Sequence, residues 1–218
     1  NAPSVLVGDF LYSRSFEMMV ELGSMPVMQI LSKATRVIAE GEVLQLSKIR
    51  DASTTEETYM EVIRGKTAML FEASTHSAAA LAKASPEQSE ALRTFGDHLG
   101  IAFQLVDDLL DYRGDAETMG KNIGDDLAEG KPTLPLIYTM REGTPEQAAL
   151  VRQAIQKGGL EDLESIREAV ERSGSLDYTA QLARDYVARA IACLDALPSS
   201  EYRDALIELS EFAVARTH

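Results

Sequence analysis

Apolar residues recur at helical spacing along nearly the whole chain. Leu6, Val7, Phe10, Leu11 and Met18 fall at such intervals and predict a first helix over 2–22. Gly23-Ser24 interrupts it. Pro26 suits the first turn of a second helix that runs to about Ile49, with Val27, Ile30, Leu31, Ala34, Val37 and Ile38 on one stripe. Thr54 with Glu57 forms a candidate capping box for a helix from about 55 to 83. Ser85-Pro86-Glu87-Gln88 combines a cap, a proline at the first position and a glutamine three residues after the cap. A long helix therefore opens there and runs to about Tyr112. Thr144-Pro145-Glu146-Gln147 repeats that logic, and Gly158-Gly159 and Gly174 end the next two helices. Two more helices, over about 176–197 and 200–216, flank Pro198. No alternating pattern of useful length appears, so the chain is expected to fold as one all-α domain over 1–218.

Within the long helix, Gln104, Asp107, Asp108 and Asp111 are three or four residues apart and share one face. Like charges at that spacing repel by roughly 0.2–0.5 kcal/mol per pair. Phe103, Leu105, Val106, Leu109 and Leu110 surround them, and no basic residue lies between Gly100 and Tyr112. Carboxylates in such a setting are costly unless a cation compensates. Oxygen-only ligands suit Mg²⁺, which is commonly shared between one or two carboxylates and substrate phosphates. The alternative is a solvated charged face. Directly after this helix, residues 113–131 carry four glycines and five acidic residues, a poor helix former expected to be a polar loop ending at Pro132, where the next helix starts.

Other candidates stand between a functional and a structural reading. Lys66 and Thr67 lie in Arg64-Gly-Lys-Thr-Ala68, which lacks the first glycine and the preceding strand of a P-loop; Lys66 reads otherwise as a lysine on a helix exterior. Lys121 and Lys131, in the glycine-rich loop, are either solvated or able to close over a diphosphate, with Asp125 and Asp126 adding outer-sphere metal contacts. The histidines are scattered without metal-ligand spacing, and His98 lies off the acidic face and reads as structural. The methionines near the start of the chain fill core gaps or line a tunnel for an apolar chain.

Composition narrows the partners. A net charge of −14 argues against a nucleic-acid binder and a polybasic membrane anchor, while leaving an anionic substrate open through local lysines. The single cysteine, Cys193, rules out an intrachain disulfide and fits a reducing, cytoplasmic setting. No apolar run approaches the roughly 18 residues of a membrane span.

Taken together, Phe103-Gln-Leu-Val-Asp-Asp-Leu-Leu-Asp111 and Gly120-Lys-Asn-Ile-Gly-Asp-Asp-Leu-Ala-Glu-Gly-Lys-Pro-Thr-Leu-Pro135 resemble the second aspartate-rich motif and following loop of the trans-polyprenyl diphosphate synthases. Val7-Gly-Asp-Phe10, Glu40-Gly-Glu-Val-Leu-Gln45 and Lys66-Thr67 fall in the family's order, so the resemblance covers essentially the whole chain. It is nearest the bacterial long-chain octaprenyl branch, which serves ubiquinone. The resemblance implies an isoprenoid synthase-type helical bundle around a central apolar cavity, acting as a homodimer. It implies Mg²⁺-dependent 1′-4 condensation of isopentenyl diphosphate onto an allylic diphosphate, with the apolar product passed on to a membrane. It assigns Asp107, Asp108 and Asp111 to Mg²⁺, with Asp126 as an outer-sphere contact. Lys66, Lys121 and Lys131 fall to the allylic diphosphate, and Thr67 and Gln104 to positioning it or stabilising the carbocation. Phe16, Met18 and Met19 are candidate walls or floor of the product tunnel, or ordinary core and dimer packing.

The family also uses a first aspartate-rich motif with an arginine pair, and a basic segment for isopentenyl diphosphate. The only Asp-Asp pairs here are 107–108 and 125–126. Those segments are expected upstream of Asn1, and these 218 residues alone are expected to lack condensing activity. Alternatives are a nonaprenyl synthase and a noncatalytic subunit of a heteromeric synthase. Keeping Lys66, Gln104, the three aspartates and the loop lysines argues against the latter.

Overall fold

A computed structural model describes residues 2–113 and 124–215, and among them there is helix and no strand. The elements are α1 (Ala2–Leu22), α2 (Met25–Lys48), α3 (Glu56–Ile63), a π-helical turn (Arg64–Ala68), α4 (Met69–Leu81) and α5 (Pro86–Arg113). After them come α6 (Asp125–Glu129), α7 (Leu134–Glu142), α8 (Pro145–Lys157), α9 (Leu163–Arg172) and α10 (Ser175–Cys193). A 3₁₀ turn (Leu194–Ala196) and α11 (Glu201–Ala215) complete the order.

Helix α5 is the axis. It packs against α4 on one side and α10 on the other, and is buried around most of its circumference, from Phe95 and Leu99 to Leu109 and Tyr112. Gly100 permits the close approach of the π turn that leads into α4: a Cβ there would lie 2.5 Å from Ala68 Cα. Three apolar clusters continue from this axis. One joins Tyr59, Ile63, Leu105, Val106 and Ile137; another joins Leu109, Leu127, Leu136, Ile155 and Val170; the third joins Phe95, Leu99, Ala190 and Leu194. Helix α1 lies apart, against α2, with Leu6, Phe10, Leu11 and Val20 exposed.

Both proline-marked starts form as the pattern predicts. Ser85 and Gln88 exchange backbone and side-chain hydrogen bonds at 3.2 Å, and Thr144 and Gln147 form a full capping box. Elsewhere the structure corrects the sequence. Thr55, not Thr54, caps α3, its hydroxyl accepting from Thr58 N–H at 3.2 Å; Thr54 is buried and donates to Asp51 O. The expected single helix over 55–83 is divided by the π turn and ends at Leu81. Pro132 does not start a helix: Thr133 is the N-cap and Leu134 the first residue of α7. The expected loop over 113–131 contains α6, bracketed by Gly124 and Gly130 in left-handed conformations that only glycine adopts freely.

Candidate active site: an acidic helix facing three lysines

The carboxylate face of α5 opens on a cavity of about 190 Å³. Gln104, Asp107 and Asp108 line one wall. Tyr59 of α3, Lys66 and Thr67 of the π turn, and Gln45 and Lys48 of α2 line another. Asp126 of α6, with Lys131, Pro132 and Thr133, closes the remaining side.

A chain of hydrogen bonds ties these walls together. Thr67 Oγ1 donates to Gln104 Oε1 at 2.8 Å, which fixes the amide so that Gln104 Nε2 donates to Asp108 Oδ1 at 2.8 Å. Tyr59 Oη donates to Asp108 Oδ2 at 2.5 Å. Lys66 Nζ donates to Gln45 Oε1 at 2.7 Å and lies 3.3 Å from Glu42 Oε1. The lysine is therefore directed to the cavity side of α2 rather than into free solvent. This approach depends on Gly41 in α2, where a Cβ would lie 2.6 Å from the backbone nitrogen of Lys66. Lys131 Nζ sits 3.1 Å from Asp126 Oδ1 and 2.9 Å from Glu129 Oε2.

Charge is concentrated and poorly solvated here. Burial pushes the Asp108 carboxyl up to about 8; the nearby charges of Asp126 and Asp107 add to this, while the bonds from Tyr59 and Gln104 oppose it. Burial also raises Asp111 to about 6, helped by Asp126 and opposed by backbone N–H donors. Burial works against the charged form of Lys131, yet Glu129 and Asp126 outweigh it and raise its pKa. A carboxylate pushed upward by burial and like charge is one that a bound cation would stabilise.

The predicted residues divide accordingly. Lys66, Thr67, Gln104, Asp107, Asp108, Asp126 and Lys131 meet at the cavity. Asp111 is not among its lining residues; its carboxylate accepts from the N–H groups of Gly124, Asp125 and Asp126 at 3.1–3.4 Å and so holds the start of α6. Lys121 lies outside the described residues. Phe16 is half-buried, Met18 is 58% exposed and Met19 is buried against the fold, and none of the three lines this cavity. Among the described residues, no three acidic, histidine or cysteine side chains converge as a complete metal-ligand set. His98 packs edge-on against Tyr186, as a structural histidine would.

Sequence reasoning passed over Tyr59, Gln45, Lys48 and Thr133. Gln45 lies in the stretch Glu40–Gln45 that carried part of the resemblance, without being singled out. Tyr59 carried one signal: it precedes Lys66 by seven residues, two turns of the helix expected over 55–83.

The comparisons place this all-α fold, with its acidic helix facing lysines across a small cavity, among the prenyltransferases. The chain belongs to the polyprenyl synthetase family, whose model matches residues 1–172. It is 54% identical to the octaprenyl diphosphate synthase of Escherichia coli (strain K12) over 217 residues, covering 99% of this chain and 67% of that protein. It is 49% identical to the geranyl-diphosphate-specific all-trans-nonaprenyl-diphosphate synthase of Rhodobacter capsulatus, covering 99% of this chain and 66% of that one. The polyprenyl synthase of Caulobacter crescentus CB15, solved with calcium and isoprenyl diphosphate, superposes with a TM-score of 0.94. It is 48% identical and covers 100% of this chain and 67% of that structure. The chain thus spans about two thirds of the length of these relatives.

Proposed function

We propose that the protein is a Mg²⁺-dependent long-chain all-trans-polyprenyl diphosphate synthase, adding isopentenyl diphosphate units to an allylic diphosphate as far as the octaprenyl chain of ubiquinone. The supporting observation is one cavity that brings Asp107, Asp108 and Asp126 together with Lys48, Lys66 and Lys131. Mg²⁺ bound there supplies positive charge to a departing diphosphate. Asp107, Asp108 and Asp111 would hold it, with Asp126 at the outer edge. Asp111 extends the same acidic row, and its bonds to the α6 amides keep Asp126 at the rim. Lys66 and Lys131 bind diphosphate oxygens; Lys121 joins them by family resemblance. The Thr67–Gln104 pair orients the allylic end. Fixed donors of this kind act without reorganisation when charge develops on the leaving group.

The exposed apolar residues of α1 support a homodimer, and the chain is read as one domain acting in the cytoplasm. No described helix is long and apolar enough to cross a membrane. A nonaprenyl product is the second reading, favoured by the similarity to the Rhodobacter enzyme. Incubation of the full protein, rather than these 218 residues alone, with Mg²⁺, farnesyl diphosphate and labelled isopentenyl diphosphate, followed by product chromatography, tests both. Eight-unit products are expected and nine-unit products select the second reading. Absence of incorporation, with Mg²⁺–pyrophosphate binding intact, would instead mark a noncatalytic subunit.

A further inference from the structure

Asp108 is held from two directions. Gln104, one turn earlier on the same helix, donates to Oδ1 at 2.8 Å, and Tyr59, from a different helix, donates to Oδ2 at 2.5 Å. The Tyr59 ring is 4% exposed and packs in the cluster with Ile63, Leu105, Val106 and Ile137, so its hydroxyl has little freedom of position. Asp108 is itself only 2% exposed. A carboxylate with one donor on each oxygen cannot turn about its last torsion without breaking a bond. Each oxygen keeps a further lone pair.

We propose that Tyr59 is a positioning residue for the metal-diphosphate site: its hydroxyl locks the Asp108 carboxylate in one orientation, with the remaining lone pairs available to a divalent cation. This rests on the reading of Asp107 and Asp108 as metal ligands. Donors to ligating carboxylates tune metal sites in general, and their loss typically weakens metal binding by about 10–100-fold. Tyr112 supplies an internal comparison. It is also a buried tyrosine, placed immediately after Asp111 on α5, but among the described residues its hydroxyl donates to no carboxylate.

The test is Mn²⁺ binding in the presence of inorganic pyrophosphate, followed by electron paramagnetic resonance on the full protein and its Tyr59→Phe and Tyr112→Phe variants. Both substitutions keep the ring and its packing, and near-UV circular dichroism confirms the fold. Y59F is expected to raise the Mn²⁺ dissociation constant about 10–100-fold, with Y112F close to wild type. A Y59F protein that binds Mn²⁺ within twofold of wild type overturns the proposal for Tyr59. Equal weakening in both variants overturns it too, by showing that loss of any buried hydroxyl suffices. If Y59F does not fold, Tyr59→Leu read against Tyr112→Leu takes its place, since each also lacks the hydroxyl, with the same outcomes. A wild-type protein that binds no Mn²⁺ with pyrophosphate would overturn the metal-site reading itself, which is a separate result.

Discussion

Replacing Gly41 by alanine tests whether backbone contact sets the position of Lys66. The added Cβ would lie 2.6 Å from Lys66 N, 2.9 Å from Gly65 C and 3.1 Å from Lys66 Cα, all backbone atoms that cannot rotate away. Relief to an ordinary 3.4 Å contact needs α2 and the π turn to part by about 0.8 Å. Overpacking of this kind costs about 1–3 kcal/mol, and the gain in helix propensity from glycine to alanine returns up to about 1 kcal/mol. The net expectation is a loss of about 0–3 kcal/mol in urea unfolding. Activity should suffer more than stability. The same displacement pulls Lys66 Nζ from Gln45 Oε1, now at 2.7 Å, and a misplacement near 1 Å can cost about 100-fold in rate. Steady-state kinetics of isopentenyl diphosphate incorporation, measured beside the urea curves, separates the two effects. A G41A protein of unchanged stability with kcat/KM within twofold of wild type would show that the close approach does not place Lys66.

The pH dependence of stability follows from Asp108 and Asp111. Their folded pKa values, about 8 and about 6, lie above the ordinary 3.8, so between pH 4 and 8 the folded state holds protons that the unfolded state has released. In EDTA, stability should therefore fall as pH rises through that window, by up to about 3 kcal/mol between pH 5 and 7.5 at about 1.36 kcal/mol per unit for Asp108. Asp108→Asn should remove most of the slope, and urea midpoints that rise with pH in the wild type would contradict the assignment. Thr55→Ala should cost about 1 kcal/mol through loss of the α3 cap, or about 2–4 °C in Tm, whereas Thr54→Ala should leave the cap intact. Differential scanning calorimetry of the two variants decides which threonine caps.

The helices were legible because each carries its own evidence: a 3.6-residue stripe and, at Ser85 and Thr144, a cap whose partner lies three residues on. The acidic face was legible for the same reason, since Gln104, Asp107 and Asp108 meet through spacing alone. What escaped depends on distant chain. The Tyr59 hydroxyl matters because of a carboxylate 49 positions away. Thr55 outranks Thr54 only because Thr54 is drawn inward to Asp51. Asp111 looks equivalent to its neighbours in sequence; it differs because the amides that begin α6 fold back onto it. The π turn had no signal in Arg64-Gly-Lys-Thr-Ala68 itself, because it is the glycine across the interface, Gly41, that accommodates it.

That turn also acts as an angular offset. Each residue of an α-helix advances the azimuth by about 100°, and a π turn departs from that count. The stretch from Glu56 to Leu81 therefore behaves as two amphipathic rods joined end to end with their buried stripes out of phase. One stripe carries Tyr59, Val62 and Ile63, and the other carries Ala73, Ser77 and Ala79. A π turn spreads one extra residue over nearly the rotation that one fewer α-helical residue would give, so removing a single residue between Arg64 and Ala68 would yield a more regular helix whose far stripe still faces nearly the same way. In this region the cost of a deletion falls on the placement of Lys66 and Thr67 rather than on the direction of α4.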